Sequence, residues 1–371
     1  SFNDAAGAFE KQIGVNPYDE HAYDYLGIAL EQQQKFGPAA DAFHKQLGVN
    51  PLDPLAHTAL GTLYLEQHDY AAAVPELEKA VILTPDNAGL HVSLGRAYLN
   101  TGEKDKALAA FNKGAEMSKT PLVWNDVAFA LADHQLDLPK ALQYAQSAVS
   151  TTDATLRNAD LAHLTLDDLS NVQRLGAIWD TLGWVYFQQG DIDRAEKYVR
   201  SAWLLNEHGE VGDHLAQIYE KRGEKDLAAQ TFALATASEH SIPETRGRLA
   251  ALLGLDSKDP SIDERIRQAR PGLVAMRTLA AGNSSDADGS ADFLLLLSPG
   301  GKSAKVDDIQ FVSGRNKLRP LMDRLRSLDF GAVFPDDSPA KLVRRGTLTC
   351  SAGNGKCVFV LTFPEDVHTV N

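Results

Sequence analysis

One stretch of the chain ends like a phosphate-binding loop. Gly301-Lys302-Ser303 supplies the glycine, the lysine and the hydroxyl group that hold phosphate oxygens in such loops. That motif also needs a glycine at position 296, which is Leu296 here. A phosphate-binding loop joins a strand to a helix, whereas Gly301-Lys302-Ser303 lies between two predicted strands. The sequence therefore predicts no nucleotide site at this position.

Three aspartates form a second candidate site, a cation loop. Asp286, Asp288 and Asp292 lie around Gly289, and carboxylates at short spacing are typical ligands of calcium. The spacing lacks the bidentate glutamate that closes a calcium loop. A solvated linker is therefore favoured over a metal site.

The two cysteines form a third candidate. Cys350 and Cys357 lie seven positions apart in a segment that has the pattern of a hairpin. Cys350 could act as a nucleophile, but no base lies near it in the sequence, and a structural bridge is favoured. Paired use of the two cysteines favours a disulfide over two reduced thiols, and hence an oxidising compartment. We therefore expect a periplasmic or extracellular protein from which a signal or upstream region has been removed.

Common enzyme motifs are missing from the sequence. It contains no His-Glu-x-x-His, no Gly-x-Ser-x-Gly and no pair of Cys-x-x-Cys motifs. The eleven histidines are scattered, and His57 and His91 occupy positions that favour packing over metal binding. We expect no catalytic residue, no cofactor and no metal, and thus a protein that is not an enzyme.

The charge of the chain is unevenly distributed. Residues 1–270 carry 24 Lys and Arg against 39 Asp and Glu, and residues 271–371 carry 12 against 11. An acidic surface repels nucleic acid, so we expect no nucleic-acid partner. No apolar run approaches the roughly 20 residues that span a bilayer, so we expect no transmembrane segment.

A repeated sequence pattern predicts the helices that make up most of the chain. Between Pro51 and Pro85 the sequence predicts an amphipathic helix with Leu60-Gly61, a break, and a second helix with Ala73 and Leu77. This block resembles the tetratricopeptide repeat, in which small residues let two antiparallel helices touch and a proline ends the second helix. The resemblance implies an all-α solenoid over residues 1–270.

Six blocks share this pattern in whole or in part. Their marker residues are Tyr23, Leu26, Gly27, Leu30, Ala39, Phe43 and Pro51; then His57, Leu60, Gly61, Tyr64, Ala73, Leu77, Ala80 and Pro85; then His91, Leu94, Gly95, Tyr98, Ala107 and Phe111; then Trp124, Val127, Ala128, Leu131, Ala141, Ala145 and Ala148; then Trp179, Leu182, Gly183, Tyr186, Ala195, Val199 and Ala202; and finally Leu215, Ala216, Tyr219, Ala228, Phe232 and Ala235.

The spacing is interrupted at three places. Residues 151–175 are too long for a connection, which predicts an inserted helix or a lengthened first helix that shapes a binding surface. Residues 4–17 match only the second half of a repeat, so either the chain is a piece of a longer protein, another molecule covers the end, or a lone helix caps it. Helices around 249–253 and 262–269 are predicted to form the closing cap.

A small α+β domain with a mostly antiparallel sheet is predicted after a linker at 271–291. The glycine-rich stretch 282–290 is typical of a linker. Strands are predicted at 292–297, 306–312, 342–350 and 357–363, the last two forming a disulfide hairpin about Gly353-Asn354-Gly355. Leu318, Leu321, Met322, Leu325 and Leu328 predict one face of a helix between them. The domain is expected to cover 292–371.

The order of these elements resembles the C-terminal domain of TonB-like periplasmic proteins over about residues 290–363. A Pro-containing segment, Phe334-Pro335, follows the predicted helix, but the extra strand at 342–350 and the disulfide hairpin depart from that domain. The whole arrangement is similar to the rear half of exported bacterial proteins in which a transglutaminase-like domain precedes such repeats. That domain would lie upstream of Ser1.

The tetratricopeptide resemblance implies a partner groove lined by the first helix of each pair. The residues that it places in the groove are His21, Asp24, Ile28, Leu55, Thr58, Thr62, Val92, Arg96, Asn125, Phe129, Asp180, Trp184, Asp213 and Gln217, and the same mapping includes Gly89, Leu122, Ala177 and Glu210. Apolar anchors among polar groups favour an extended or helical peptide as ligand. Phe129 and Trp184 either face this groove or pack against the next repeat.

Three functions remain open on the sequence. The first is a non-enzymatic scaffold that binds a protein or peptide in the groove. The second is a structural subunit that assembles head to tail through the N-terminal half-repeat. The third is the non-catalytic part of a transglutaminase-like enzyme.

Overall fold

The computed structural model describes residues 1–284, 287–301, 303–331, 333–335, 337–351, 353, 355–364 and 367. Asp286 of the candidate cation loop, Lys302 of the candidate phosphate loop and Asn354 of the predicted hairpin turn lie outside these residues. The chain forms two compact units, Ser1–Ala130 and Leu131–Asn371. Each unit is described separately below.

The first unit is a series of antiparallel helix pairs. Its helices are α1 (Phe2–Val15), α2 (Ala22–Glu31), α3 (Phe36–Val49), α4 (Pro54–Glu66), α5 (Tyr70–Leu83), α6 (Ala88–Asn100), α7 (Lys104–Met117) and the first part of α8 (Pro121–Asp133). Asp53, Asp69 and Asn87 accept hydrogen bonds from backbone N–H groups in the first turns of α4, α5 and α6. Each such cap contributes about 1 kcal/mol. The predicted helix pairs are confirmed.

Close contact within a pair depends on the repeated glycine. A Cβ added at Gly27 would lie 2.5 Å from the ring of Phe43, and one added at Gly95 would lie 2.6 Å from the ring of Phe111. Both phenylalanines are fully buried. A side chain at either glycine would therefore push the two helices of the pair apart.

His57 and His91 link each first helix to the proline before it. Their side chains are buried, and Nε2 of each lies within hydrogen-bond distance of a carbonyl oxygen, 3.2 Å from Pro51 and 3.0 Å from Pro85. His57 Nδ1 also lies 2.6 Å from Glu76 Oε2. The predicted packing role of both histidines is confirmed.

The second unit continues the helix pairs and adds a sheet. Its helices after α8 are α9 (Leu138–Leu156), α10 (Leu166–Gln188), α11 (Ile192–Asn206), α12 (Gly209–Arg222), α13 (Lys225–Ala237), α14 (Pro243–Leu253), α15 (Pro260–Met276) and the single turn α16 (Met322–Leu325). The predicted closing helices correspond to α14 and α15. Leu249 and Ile262 from these helices pack with Phe232 of α13 in one apolar cluster.

The interruption at 151–175 is a lengthening of two helices. Helix α9 has 19 residues and α10 has 23, and a short 3-10 turn, Leu161–His163, lies between them. Thr165 caps the N-terminus of α10. Its hydroxyl accepts a hydrogen bond from the Asp168 backbone N–H, and the Asp168 carboxylate accepts one from the Thr165 backbone N–H. A lengthened first helix was one of the two predicted forms of this insertion.

The sheet consists of five antiparallel strands in the described residues. They are β1 (Thr278–Asn283), β2 (Gly289–Ser298), β3 (Lys305–Gly314), β4 (Leu342–Cys350) and β5 (Lys356–Leu361). Their order is β1-β5-β4-β2-β3. The turn after β2 joins two strands, as expected from the argument against a phosphate loop. The predicted antiparallel α+β architecture is confirmed.

The sheet packs against the lengthened connection rather than standing apart. Ala159, Leu161 and Leu169 form one buried cluster with Leu294 and Leu296 of β2. Val343 of β4 and Val367 belong to the same cluster. The expectation that residues 151–175 shape a binding surface is therefore wrong for these apolar side chains, because the sheet covers them. The second unit accordingly includes both the helices after residue 130 and the sheet.

The predicted linker at 271–291 is also wrong. Residues 271–276 complete α15, and Thr278–Asn283 form β1, which pairs with β5. Gly289 and Ser290 begin β2. Gly282 and Gly289 adopt backbone conformations with positive φ, +77° and +98°, which glycine reaches without steric strain.

Asp292 has a structural role. Its carboxylate accepts hydrogen bonds from Arg345 Nη2 at 2.7 Å, Thr347 Oγ1 at 2.7 Å and Ser313 Oγ at 3.2 Å. These bonds tie β2 to both neighbouring strands. The predicted solvated linker does not extend to this residue.

The predicted helix over 318–328 is much shorter in the structure. A 3-10 turn spans Asn316–Leu321 and contains Pro320, and α16 adds one turn. Proline removes a backbone donor and crowds the preceding turn, which prevents a continuous α-helix. Leu318 and Leu325 are nevertheless fully buried, so the apolar face was correctly identified.

The predicted disulfide is present. Cys350 and Cys357 are directly opposite each other on β4 and β5, and their sulfur atoms are bonded. None of the described helices is both long and apolar enough to cross a membrane.

A buried carboxyl group joins α9 to the segment before β4. Asp153 is 4% exposed and accepts a hydrogen bond from Ser338 Oγ at 3.1 Å. Burial raises the pKa of Asp153 to about 7, against the opposing effect of the Ser338 hydrogen bond. The folded state therefore holds a proton that the unfolded chain has lost between about pH 4 and pH 7, and the stability that this proton provides falls as pH rises through 7.

We expect Asp153→Asn to weaken this pH dependence. The amide keeps an acceptor for Ser338 and has no charge to bury, so the loss of unfolding free energy between pH 5 and pH 8 should shrink by about 2 kcal/mol. Thermal unfolding at several pH values measures this change, with Asp226→Asn on the exposed start of α13 as the matched control. An unchanged pH slope in Asp153→Asn would contradict the assignment.

Candidate functional site

The first helices of three successive pairs in the second unit bring several predicted groove residues together. Asp180 and Trp184 lie one turn apart on α10, and Asp213 and Gln217 lie one turn apart on α12. Gln217 Nε2 donates to Asp213 Oδ2 at 2.8 Å. We call the surface formed by these four residues, and by the side chains of α12 and α14 that contact them, the α10–α12–α14 face.

A buried ion pair joins α10 to α12 on this face. His214 Nδ1 lies 3.0 Å and 3.1 Å from the two carboxylate oxygens of Asp180, and both side chains are less than 10% exposed. Burial alone would lower the pKa of His214, but Asp180, Glu210 and Asp213 around it raise it above the ordinary value. The protonated form is thus favoured, which makes the contact a charged hydrogen bond.

Trp184 is part of the same packing. Its indole stacks on the His214 ring with centroids 4.1 Å apart and on the Phe187 ring with centroids 4.9 Å apart. Trp184 is 5% exposed. Of the two orientations open on the sequence, the structure shows packing against the next repeat. The prediction that Trp184 is an exposed anchor is wrong, because its indole is buried against the rings of His214 and Phe187.

A second ion pair joins α12 to α14. Arg248 Nη1 donates to Asp213 Oδ2, and the Asp213 carboxylate is fully buried whereas the Arg248 side chain is 38% exposed. This carboxylate therefore receives hydrogen bonds from both Gln217 and Arg248. The arrangement fixes Asp213 and leaves part of the guanidinium at the surface.

Glu210 makes the α10–α12–α14 face acidic. It is half-buried at the start of α12. Burial raises its pKa, and so do the carboxylates of Asp180, Asp133 and Asp213, while His214 opposes them. Burial is thus the main cause of the raised pKa, and a cation placed beside Glu210 would favour its charged form.

The predicted groove residues of the first unit have mixed surroundings. The hydroxyl groups of Thr58 and Thr62 donate to carbonyl oxygens four residues earlier, at 2.7 Å and 2.9 Å. Val92 is 6% exposed, and Ile28 packs in the cluster around Phe43. These four side chains therefore have intramolecular roles.

The remaining groove residues of this unit are more accessible or form a pair. Leu55 is 39% exposed and Arg96 is exposed, whereas Asn125 and Phe129 are half-buried. His21 and Asp24 lie close together, with Nδ1 and Oδ2 3.9 Å apart. His21 is exposed and Asp24 is fully buried.

Two members of the α10–α12–α14 face were not predicted. His214 and Arg248 lie next to the mapped groove positions rather than on them. Asp180 and His214 are 34 positions apart, which is the period of the repeat, so a search for complementary charges one period apart would have found this pair. Arg248 lies 35 positions after its partner Asp213, one residue more than this period.

Comparisons with known proteins agree with the helix pairing. Family models of the tetratricopeptide repeat match residues 58–120, which include most of α4 and all of α5 to α7, and residues 177–207, which include the second half of α10 and all of α11. The chain carries tetratricopeptide repeats. These matches concern the helical repeats, so the resemblances to TonB-like and transglutaminase-like proteins stay predictions.

Several solved structures resemble the tetratricopeptide part of the chain. A tetratricopeptide repeat protein from Parabacteroides merdae is 14% identical, with a TM-score of 0.49, over 72% of this chain and 92% of its own. The APC/C hetero-tetramer Cut9-Hcn1 is 17% identical, with a TM-score of 0.46, over 74% and 50%. YrrB, a tetratricopeptide protein with an unusual peptide-binding site, is 20% identical, with a TM-score of 0.40, over 54% and 92%. No curated protein sequence matches the chain.

Proposed function

We propose that this tetratricopeptide repeat protein is a non-enzymatic scaffold that binds a cationic segment of a partner protein on the α10–α12–α14 face. The observation that carries the proposal is the convergence of Asp180, Glu210 and Asp213 on that face. His214 and Arg248 each pair with one of these carboxylates, so three carboxylates lie near two cations, an excess of one negative charge. A lysine or arginine of the partner would compensate that excess.

The chemistry of this face supports recognition rather than catalysis. Asp180 holds His214 in a buried pair, and the Trp184 indole stacks on the imidazole ring. Asp213 is fixed by Gln217 and Arg248. Fixed charges on packed helices form a rigid surface, which lowers the ordering cost of binding.

The disulfide supports a location in an oxidising compartment. Cys350 and Cys357 bridge β4 and β5, and such bridges persist mainly outside the cytosol. A periplasmic or extracellular location of the scaffold is therefore part of the proposal. Self-assembly through α1 stays a prediction, and Phe2, Val15 and Tyr18 near that helix are exposed.

The charge requirement can be tested with synthetic peptides. We expect a fluorescent decapeptide of alternating lysine and alanine to bind the protein at low salt, and its glutamate counterpart to bind far more weakly. Glu210→Gln should raise the Kd of the lysine peptide about threefold to tenfold, which corresponds to about 1 kcal/mol for one partly buried charge pair. Fluorescence anisotropy measures both affinities.

The same helix offers a matched control. Glu220 is exposed near the end of α12, and Glu220→Gln removes the same charge from the chain. Equal weakening by the two substitutions would show a general charge effect instead of a site at Glu210. Equal binding of the lysine and glutamate peptides would contradict the proposed cationic partner.

A further inference from the structure

A group of ligand-type side chains occurs in the first unit, away from the α10–α12–α14 face. His21, Asp24 and Asp53 each place one ligand atom within 4.8 Å of the others. His21 and Asp24 lie at the start of α2, and Asp53 immediately precedes α4. Three residues from two successive repeats thus converge on one point.

The surroundings of Asp24 require an explanation. Its side chain is fully buried, and neither carboxylate oxygen has a hydrogen-bond partner among the described residues. A carboxylate oxygen of Asp53 lies within 4.8 Å of one of Asp24, so the two negative charges repel each other. A buried carboxylate without partners destabilises a protein unless a proton or a cation compensates its charge.

Asp53 is held in place by its own contacts. Its Oδ1 accepts from the backbone N–H groups of Leu55 and Ala56, and its Oδ2 accepts from Gln46 Nε2 at 2.9 Å. Gln46 also donates to the Glu20 carbonyl oxygen. Such outer hydrogen bonds orient carboxylates that bind metals. Asp53 therefore does not move away from Asp24 to relieve their repulsion.

We infer that His21, Asp24 and Asp53 form a binding site for a divalent transition-metal cation. One imidazole and two carboxylates suit zinc or a similar ion better than calcium or magnesium, which prefer oxygen ligands alone. Two carboxylates and a neutral imidazole carry the charge that a divalent cation neutralises.

The distances fit this inference. Ligand atoms around zinc lie about 3.4 Å apart when the bonds are about 2.1 Å long and the geometry is tetrahedral. His21 Nδ1 and Asp24 Oδ2 are 3.9 Å apart, and the exposed His21 can rotate toward the carboxylates. The exposed side of the site leaves the fourth position to water.

Calorimetric titration of the full chain with zinc chloride, after removal of metals with EDTA, tests the site. We expect Asp24→Asn and Asp53→Asn each to lose one zinc ion per chain relative to the unsubstituted protein, and His21→Gln to weaken that ion at least tenfold. Asparagine preserves the cap of α4 at position 53. Asp41→Asn, on the exposed side of α3, is the control and should bind as the unsubstituted protein does.

Thermal unfolding separates metal binding from a folding defect. Without metal, Asp24→Asn should unfold at the same or a higher temperature, because it removes an uncompensated buried charge. Zinc should raise the unfolding temperature of the unsubstituted protein and not that of Asp24→Asn. If zinc binds equally to all the variants, or if it leaves the unsubstituted protein's unfolding temperature unchanged, the two aspartates share a proton instead and the inference is overturned.

Discussion

Glu207→Gln is expected to stabilise the second unit by about 2 kcal/mol at pH 8 and to change its stability much less at pH 5. Glu207 follows α11 and is 6% exposed, and its carboxylate lies 3.5 Å from Arg277 Nε. Arg344 of β4 is 2% exposed and is attracted to the same carboxylate. The substitution would keep the shape of the side chain and remove a carboxylate whose burial costs more free energy than its attraction to the two guanidinium groups returns.

The charges of this cluster are mutually dependent. Burial raises the pKa of Glu207 to about 7, against the opposing effect of Arg277 and Arg344. Burial and the nearby Arg277 lower the pKa of Arg344 to about 10, against the opposing effect of Glu207. Because the pKa of Glu207 is raised on folding, its carboxyl group makes the fold less stable as pH rises toward 7, and Glu207→Gln has its full effect at pH 8.

Denaturant unfolding of Glu207→Gln and of the unsubstituted protein at pH 5 and pH 8 measures the change. The double variant Glu207→Gln with Arg344→Met should gain no further stability, because Arg344 also donates to the Thr362 carbonyl oxygen at 3.1 Å and that bond is then lost. A loss of about 1 kcal/mol or more in the single variant at pH 8 would show that the carboxylate stabilises the two guanidinium groups by more than its burial costs.

The sequence predicted the helical part of the fold because each helix pair repeats the same local contacts. Gly95 must be small where Phe111 crosses it, and the same requirement recurs at Gly27 and Phe43. Such contacts join residues about 16 positions apart, so their pattern is visible in a short window. The predicted helices of the repeats accordingly occur in the structure with differences of a few residues at their ends.

The contacts that the sequence did not reveal are distant along the chain. Strand β1 was missed because Thr278–Asn283 has no alternating apolar pattern and its partner β5 lies about 80 residues later. Leu169 packs against Leu294 and Val343, which no local period connects. These pairings depend on the arrangement of whole elements, and single-residue patterns do not encode it.

The candidate site shows the same division. The tetratricopeptide mapping put Asp180, Asp213 and Gln217 on the first helices of their pairs, and these residues lie on α10 and α12, because helical position depends on local spacing. Exposure depends on neighbours that a local pattern does not reveal, such as His214 beside Trp184. The imidazole of His214 stacks on the buried indole, so the predicted anchor is a packed residue.

Trp184→Ala is therefore expected to destabilise the second unit by about 3–5 kcal/mol, the range for loss of a buried tryptophan. The cavity would lie between α10 and α12, and the Asp180–His214 pair beside it would lose the apolar surface that shields it from water. Because several repeats unfold together, hydrogen exchange of α10 and α12 should be followed as well as the overall unfolding temperature. We expect both helices to exchange faster.

Phe187→Ala provides the comparison, since Phe187 also stacks on Trp184 but is half-buried. Its loss should be smaller, because less apolar surface leaves the interior. If Trp184→Ala instead kept the original unfolding temperature and exchange rates, its indole would contribute little to packing, and the tryptophan would have to be reconsidered as an exposed anchor for the partner. A large loss in Trp184→Ala and a small one in Phe187→Ala would leave Glu210 as the residue of this face at which partner binding can be altered without unfolding the repeats.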